Sequence, residues 1–124
     1  MNKIEIKPLS VNKVWQGKRF KTQDYKDYEE ELFYVLPNKS EFKNTLSKID
    51  KKVKNDKITK LIVFLEFGFS NKASDIDNPV KPFLDILQKK YEFNDKDVFK
   101  LSLEKKLVKK GEEYVAFTIS NILI

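Results

Sequence analysis

The chain has 124 residues, 40% of them hydrophobic and 13% aromatic, which is enough apolar material for one compact domain. Lys and Arg number 25 against 19 Asp and Glu, and the resulting +6 suits a polyanionic partner as readily as it serves solubility. There is no Cys and no His, which excludes disulfides, thiolate or imidazole metal sites and Ser–His triads, so any catalysis must rest on carboxylates, Lys, hydroxyls or a hard cation.

In chain order, Lys3–Leu9 alternates through Ile4 and Ile6 and predicts a short first strand. Ser10–Lys21 is polar and cationic and reads as a loop. Thr22 is placed to cap a helix ending near Leu36, before Pro37, with Tyr25, Tyr28, Leu32 and Val35 on its apolar face. Ser40 is placed to cap a second helix over Glu41–Lys54, with Phe42, Leu46, Ile49 and Val53 as its stripe. Ile58–Phe69 is the strongest strand signal: Leu61, Val63, Leu65, Phe67 and Phe69 point one way, Ile62 and Phe64 the other, as a central strand requires. Polar Ser70–Asp77 leads to a helix opened by Asn78 as N-cap with Pro79 at its first position, and Val80, Phe83, Leu84, Leu87 and Tyr91 form its core stripe. Val98–Val108 and Tyr114–Ile122 alternate about Lys109-Lys110-Gly111-Glu112 and read as a hairpin.

The expected fold is therefore α+β: a single domain over residues 1–124, with a small mixed sheet of about four strands packed with helices. No apolar leader segment and no run of membrane-spanning length is present, so the expected location is the cytoplasm, with no membrane partner.

The stretch with chemical content is Ser74-Asp75-Ile76-Asp77-Asn78-Pro79-Val80-Lys81-Pro82-Phe83-Leu84-Asp85. In an extended segment Asp75 and Asp77 share a face, with Ile76 turned into the core. Two carboxylates held together repel unless a cation lies between them, and an oxygen-only donor set favours Mg²⁺, with Mn²⁺ as a substitute. Lys81 and Asp85 are i and i+4 on the following helix. Lys81 in its first turn is placed to meet a phosphate, as are the first-turn N–H groups. An isolated Asp-x-Asp before a helix equally serves the helix dipole, and Lys81–Asp85 is equally an ordinary surface ion pair. A third acid, Asp95, stands where the chain enters the next strand. Pairing of that strand beside Ile58–Phe69 is expected to bring it to the first two, with Asp97 its local competitor.

The run Asp75-x-Asp77-Asn78-x-x-Lys81-x-x-x-Asp85-x-Leu87, then Asn94-Asp95-x-x-Val98, resembles the signature of RusA-like Holliday junction resolvases. The opening Pro8-x-Ser10-x-Asn12, basic Lys18-Arg19 and the Tyr25/Tyr28 helix are similar to that family's N-terminus, so the resemblance spans most of the chain. It implies a homodimeric endonuclease that cuts four-way DNA junctions by paired symmetric nicks. Asp75, Asp77 and Asp95 then hold Mg²⁺, Lys81 is the essential lysine and Asp85 supports it. Departures are Asn94 where a further acid is common, Lys72 as the one basic residue shortly before Asp75, a single Pro in the opening, and a longer 42–57 segment.

Asn12, Lys13, Lys18, Arg19, Lys21 and Lys72 are the candidate DNA contacts, each equally a solvated surface group, and Trp15 is a candidate wedge, dimer contact or core anchor. Two rival readings remain open. A nucleotidyltransferase also uses an Asp-x-Asp pair and a third acid, but lacks a helix opening directly after the pair. A non-catalytic junction-binding protein would use these acids only as helix caps.

Overall fold

The computed structural model describes residues 1–18, 20–42 and 59–123. The longest alternating run forms the longest strand, β4 (Thr59–Phe69), and it occupies the middle of a four-stranded mixed sheet. The sheet order is β1 (Asn2–Ile4), β6 (Tyr114–Leu123), β4, β5 (Val98–Leu107). β6 runs antiparallel to both β1 and β4, while β5 runs parallel to β4. A two-stranded ribbon, β2 (Trp15–Gln16) with β3 (Phe20–Lys21), stands apart from it. The expected α+β fold with a mixed sheet of four strands is therefore the observed one.

Among the described residues, two helices cover one face of the sheet. α1 (Gln23–Val35) begins at Thr22, whose hydroxyl oxygen accepts from the Tyr25 N–H at 3.1 Å, and it buries Tyr25, Tyr28 and Leu32. α2 (Val80–Tyr91) buries Phe83, Ile86, Leu87 and Tyr91 over Leu61, Val63, Leu65 and Phe67. Phe83 lies at the centre of this layer, its ring edge-on to both Phe67 and Phe117 at 5.9 Å between centroids. Offset and edge-on ring pairs add to what area burial alone contributes.

The opposite face of the sheet holds a polar group. Glu66, buried in β4, accepts from the Tyr114 hydroxyl at 2.7 Å, and Lys106 lies 3.6 Å from its other oxygen. The Tyr114 hydrogen bond holds the Glu66 carboxyl below its ordinary value, while burial pushes the Tyr114 hydroxyl up to about 12. Gly68 is where the Tyr114 ring crosses the strand: a Cβ there would come closer than 3.0 Å to Cδ1 and Cε1 of that ring.

Several expectations require correction. The first strand is only Asn2–Ile4, because Ile6 and Leu9 pack against the core from an irregular segment. Val35 is 42% exposed, and Leu36, just past the helix, is buried in its place. The α2 stripe includes Ile86, with Val80 and Leu84 only half-buried at its margins. Val98–Val108 and Tyr114–Ile122 do not form a hairpin. β4 lies between them, and the intervening turn, where Gly111 takes φ 93°, carries the chain across its end. β4 is apolar on its helix-facing side and partly apolar on the other, so it takes the central position with two ladder partners. Of the predicted helix over Glu41–Lys54, Lys39–Phe42 forms a short 3-10 turn and the remainder lies outside the described residues.

Candidate active site

The acid pair sits in the crossover from β4 to α2. Asn71 Oδ1 closes the first part of this loop by accepting from the Ser74 N–H and hydroxyl, both at 3.0 Å. The Lys105 ammonium fastens it to β5 by donating to the carbonyls of Lys72, at 3.1 Å, and Ser74. Two successive turns follow, Asn78 N–H to the Asp75 carbonyl at 3.3 Å and Val80 N–H to the Asp77 carbonyl at 3.1 Å. Turns remove the two-residue alternation of an extended chain. Ile76 consequently does not enter the core and is 39% exposed, and Asp75 and Asp77 are exposed on either side of it.

The start of α2 also differs from expectation by one residue. Pro79 occupies the cap position with no side-chain cap, and Asn78 uses its carbonyl to accept from the Val11 N–H at 2.8 Å. That bond joins the N-terminal basic loop to the residue directly after Asp77. The sequence alone gave no sign of this junction, since the two segments are far apart along the chain.

One face of α2 carries a continuous polar chain. Lys81 Nζ donates to Asp85 Oδ1 at 3.0 Å, Gln88 Nε2 reaches the same oxygen at 3.4 Å, and Gln88 Oε1 accepts from the Asp95 N–H at 2.8 Å. Gln88 was not among the expected site residues. Its position at i+7 from Lys81 and i+3 from Asp85 is the signal that identifies it. Asp85 is half-buried, whereas the Lys81 side chain remains 64% exposed, paired on one side and open to solvent on the other.

Asp95 is not brought to Asp75 and Asp77 within one chain, and this corrects the expected convergence. The strand after α2 does pair beside β4, as anticipated, but it pairs in parallel. A parallel pair needs a connecting helix that returns the chain to the starting end of the first strand. Asp95 therefore lies before Val98, which pairs with Leu61, while the acid pair lies beyond Phe67, which pairs with Lys105. These ends are about 20 Å apart at roughly 3.3 Å per residue. Among the described residues, no group of three or more acids lies close enough together to hold a metal ion. Asp97 is at the same remote end, in the short 3-10 turn Asp95–Asp97.

The candidate DNA contacts fall into two groups. Asn12 and Lys13 are exposed in the 3-10 turn Val11–Lys13, capped by the Ser10 hydroxyl and tied to Asn78, so they stand next to the acid pair. Lys72 is exposed in the acid-bearing loop itself. Lys18 is exposed in the β2–β3 turn, and Arg19 lies outside the described residues. Lys21 is half-buried, its ammonium 4.1 Å from the Trp15 ring centroid and 4.3 Å from that of Tyr25. Trp15 is 51% exposed, which rules it out as a core anchor.

A cleft of about 710 Å³ opens beside this region, between the N-terminal segment, α1 and the acid-bearing loop. Its charged lining is mixed, with Lys7 and Lys13 opposed by Asp24, Asp27, Glu31 and Glu113. That balance suits a polyanion poorly, which leaves the exposed loop surface around Asp75, Asp77 and Lys81 as the stronger candidate site. No helix among the described residues is long and apolar enough to cross a membrane. In comparisons with known proteins, the chain matches no family model and no curated protein.

Proposed function

We propose that the protein is a Mg²⁺-dependent endodeoxyribonuclease of four-way DNA junctions that acts as a homodimer. Each site uses Asp75, Asp77 and Lys81 of one protomer, with Asp95 of the partner subunit completing the acid set. The observation that carries this reading is the exposed Asp75/Asp77 pair at the head of α2. Lys81, its ammonium open to solvent on one side, follows in the first turn of α2, and the turn Val11–Lys13 is tied to Asn78 through the Val11 N–H.

The donor set fits the ion. Mg²⁺ is usually held by one or two carboxylates while keeping several waters, and an exposed pair of acids meets that requirement without a closed cage. When bound, the ion supplies Lewis acidity toward a phosphate oxygen and a water. The protein's own groups do the rest. Lys81, kept in place by Asp85, offers its free side to the charge that develops on a phosphodiester under attack. Asn12 and Lys13, on the turn tied to Asn78, and Lys72, in the same loop as the acids, supply neutral and cationic donors to hold the flanking backbone and release its counterions. A two-fold dimer presents two such sites in matching orientation, as symmetric cutting of a junction requires.

A second reading, a non-catalytic junction-binding protein, draws on the separation of Asp95 from the pair within one chain. The two readings part on one experiment, incubation of a strand-labelled four-way junction with and without Mg²⁺. The nuclease gives paired symmetric nicks only with the ion, and Asp77→Asn binds the junction without cutting it. Binding indifferent to Mg²⁺, with no nicks at any concentration, replaces the first reading with the second.

A further inference from the structure

We infer that the ribbon β2–β3 is a base-stacking element that takes unpaired bases at the branch point of the DNA, with Trp15 and Phe20 as the stacking rings. The inference rests on the proposed DNA reading and names the feature of the substrate that this surface recognises. The ribbon stands apart from the main sheet, and its strands pair in the register Trp15↔Lys21 and Gln16↔Phe20. Residues directly opposed in an antiparallel ladder project to the same face, and neighbours along a strand project to opposite faces. The indole and the phenyl ring therefore leave opposite faces of a ribbon only two strands wide.

Neither ring contributes to the core. Trp15 is 51% exposed and Phe20 72% exposed, and two such rings on one small projection mark a contact surface. The surrounding charge says which contact. From Ile6 to Gln23 the chain holds five cations, Lys7, Lys13, Lys18, Arg19 and Lys21, and no acid, although Asp and Glu total 19 in the whole chain. Aromatic rings interleaved with cations match a single-stranded nucleic acid: the cations meet phosphates and the rings meet bases, every one of which has a π-face. A second copy of this chain would bring the same cations against them, a like-charge apposition. In an intact duplex the bases are already paired and stacked on one another, so the ribbon separates a branch point from the arms that lead to it.

The ribbon is held ready for this contact. Val14 anchors its base in the core, the Thr22 N–H donates to the Val14 carbonyl at 2.9 Å, and the Thr22 hydroxyl donates to the Lys13 carbonyl. Lys21 Nζ lies 4.1 Å from the Trp15 ring centroid and 4.3 Å from that of Tyr25 in α1, which props the indole on a cation fixed to the helix layer. A ring ordered before binding loses little freedom when a base stacks on it. The ribbon is also close to the acids in chain terms. Val11, whose N–H donates to the Asn78 carbonyl, precedes Trp15 by four residues, at most about 14 Å of chain.

Trp15 is the chain's one tryptophan, so its emission reports the contact directly, without Mg²⁺ and before any cutting. Binding of oligo-dT or of a synthetic four-way junction is predicted to quench that emission, and binding of a blunt duplex to leave it unchanged. Trp15→Ala is predicted to lower affinity for oligo-dT and junction about tenfold without changing duplex affinity, and Trp15→Phe to retain most of it. Trp15→Phe combined with Phe20→Trp moves the reporter and is predicted to give a quench from the other face. A junction that binds, by anisotropy of labelled DNA, with the emission unchanged overturns the inference. An equal quench by duplex overturns it too, as does a change in emission with protein concentration alone, the mark of a second copy on the ribbon. Mg²⁺-dependent nicking with no quench removes the stacking element and leaves the nuclease, whereas quenching with no nicking at any Mg²⁺ concentration does the reverse. Binding to none of the three DNAs removes both.

Discussion

Gly68→Ala offers a quantitative test of the sheet that positions the acid-bearing loop. The new Cβ would stand closer than 3.0 Å to two Tyr114 ring carbons and 3.2 Å from a third, where carbon atoms prefer about 3.5–4.0 Å. The ring must move, and its hydroxyl is the group that donates to buried Glu66 at 2.7 Å. Overpacking of this kind costs about 1–3 kcal/mol, and a hydrogen bond to a charged group contributes about 1.5–3 kcal/mol, so partial loss of both gives roughly 2–4 kcal/mol. At a urea slope of roughly 1.5 kcal/mol/M the unfolding midpoint falls by about 1.3–2.7 M. The same substitution in a Tyr114→Ala background meets no ring. There it is predicted to be neutral or to stabilise by about 0.5–1 kcal/mol, since glycine inside a strand is the poorer residue. A penalty below about 0.5 kcal/mol in the wild type, or an equal penalty in both backgrounds, refutes the reasoning.

Tyr114→Phe removes the main cause of the lowered Glu66 carboxyl pKa. A depressed acid contributes stability that is present above its unfolded value and lost as pH falls through the folded one, so the gap between wild type and variant narrows below about pH 4.5. The raised Tyr114 hydroxyl acts at the other limb, where wild-type stability falls as pH rises from about 10 through about 12 and the variant lacks that component. Urea titrations across both limbs check the two signs. Lys81→Gln is predicted to slow junction cleavage by about 10²–10³-fold at saturating Mg²⁺ while leaving junction affinity nearly unchanged. Equal losses in affinity and rate would make Lys81 a binding group only.

Much of the fold is legible in the sequence because it depends on local patterns. The Leu61–Phe69 alternation sets β4, Thr22 sets the start of α1, and the Phe83–Leu87–Tyr91 spacing sets the face of α2. What is not legible depends on which strands become neighbours. Alternation assigns faces to Val98–Leu107 and Tyr114–Leu123 but says nothing about β4 standing between them. The site divides in the same way. Lys81 and Asp85 meet because helical spacing requires it, whereas the approach of the Val11 turn to Asn78 and the retreat of Asp95 follow from tertiary topology. Ile76 stays out of the core for a further reason: the hydrogen bonds of its segment form turns, in which strand alternation does not hold.

Mixing two inactive variants tests the two-copy site most directly. Asp77→Asn and Asp95→Asn are each predicted to abolish Mg²⁺-dependent junction nicking. Refolded together, about half of the dimers become mixed, and each mixed dimer regains one complete site, so roughly a quarter of wild-type sites return as single-strand nicks. A mixture that stays as inactive as its parents, with subunit exchange demonstrated, contradicts a site shared between protomers.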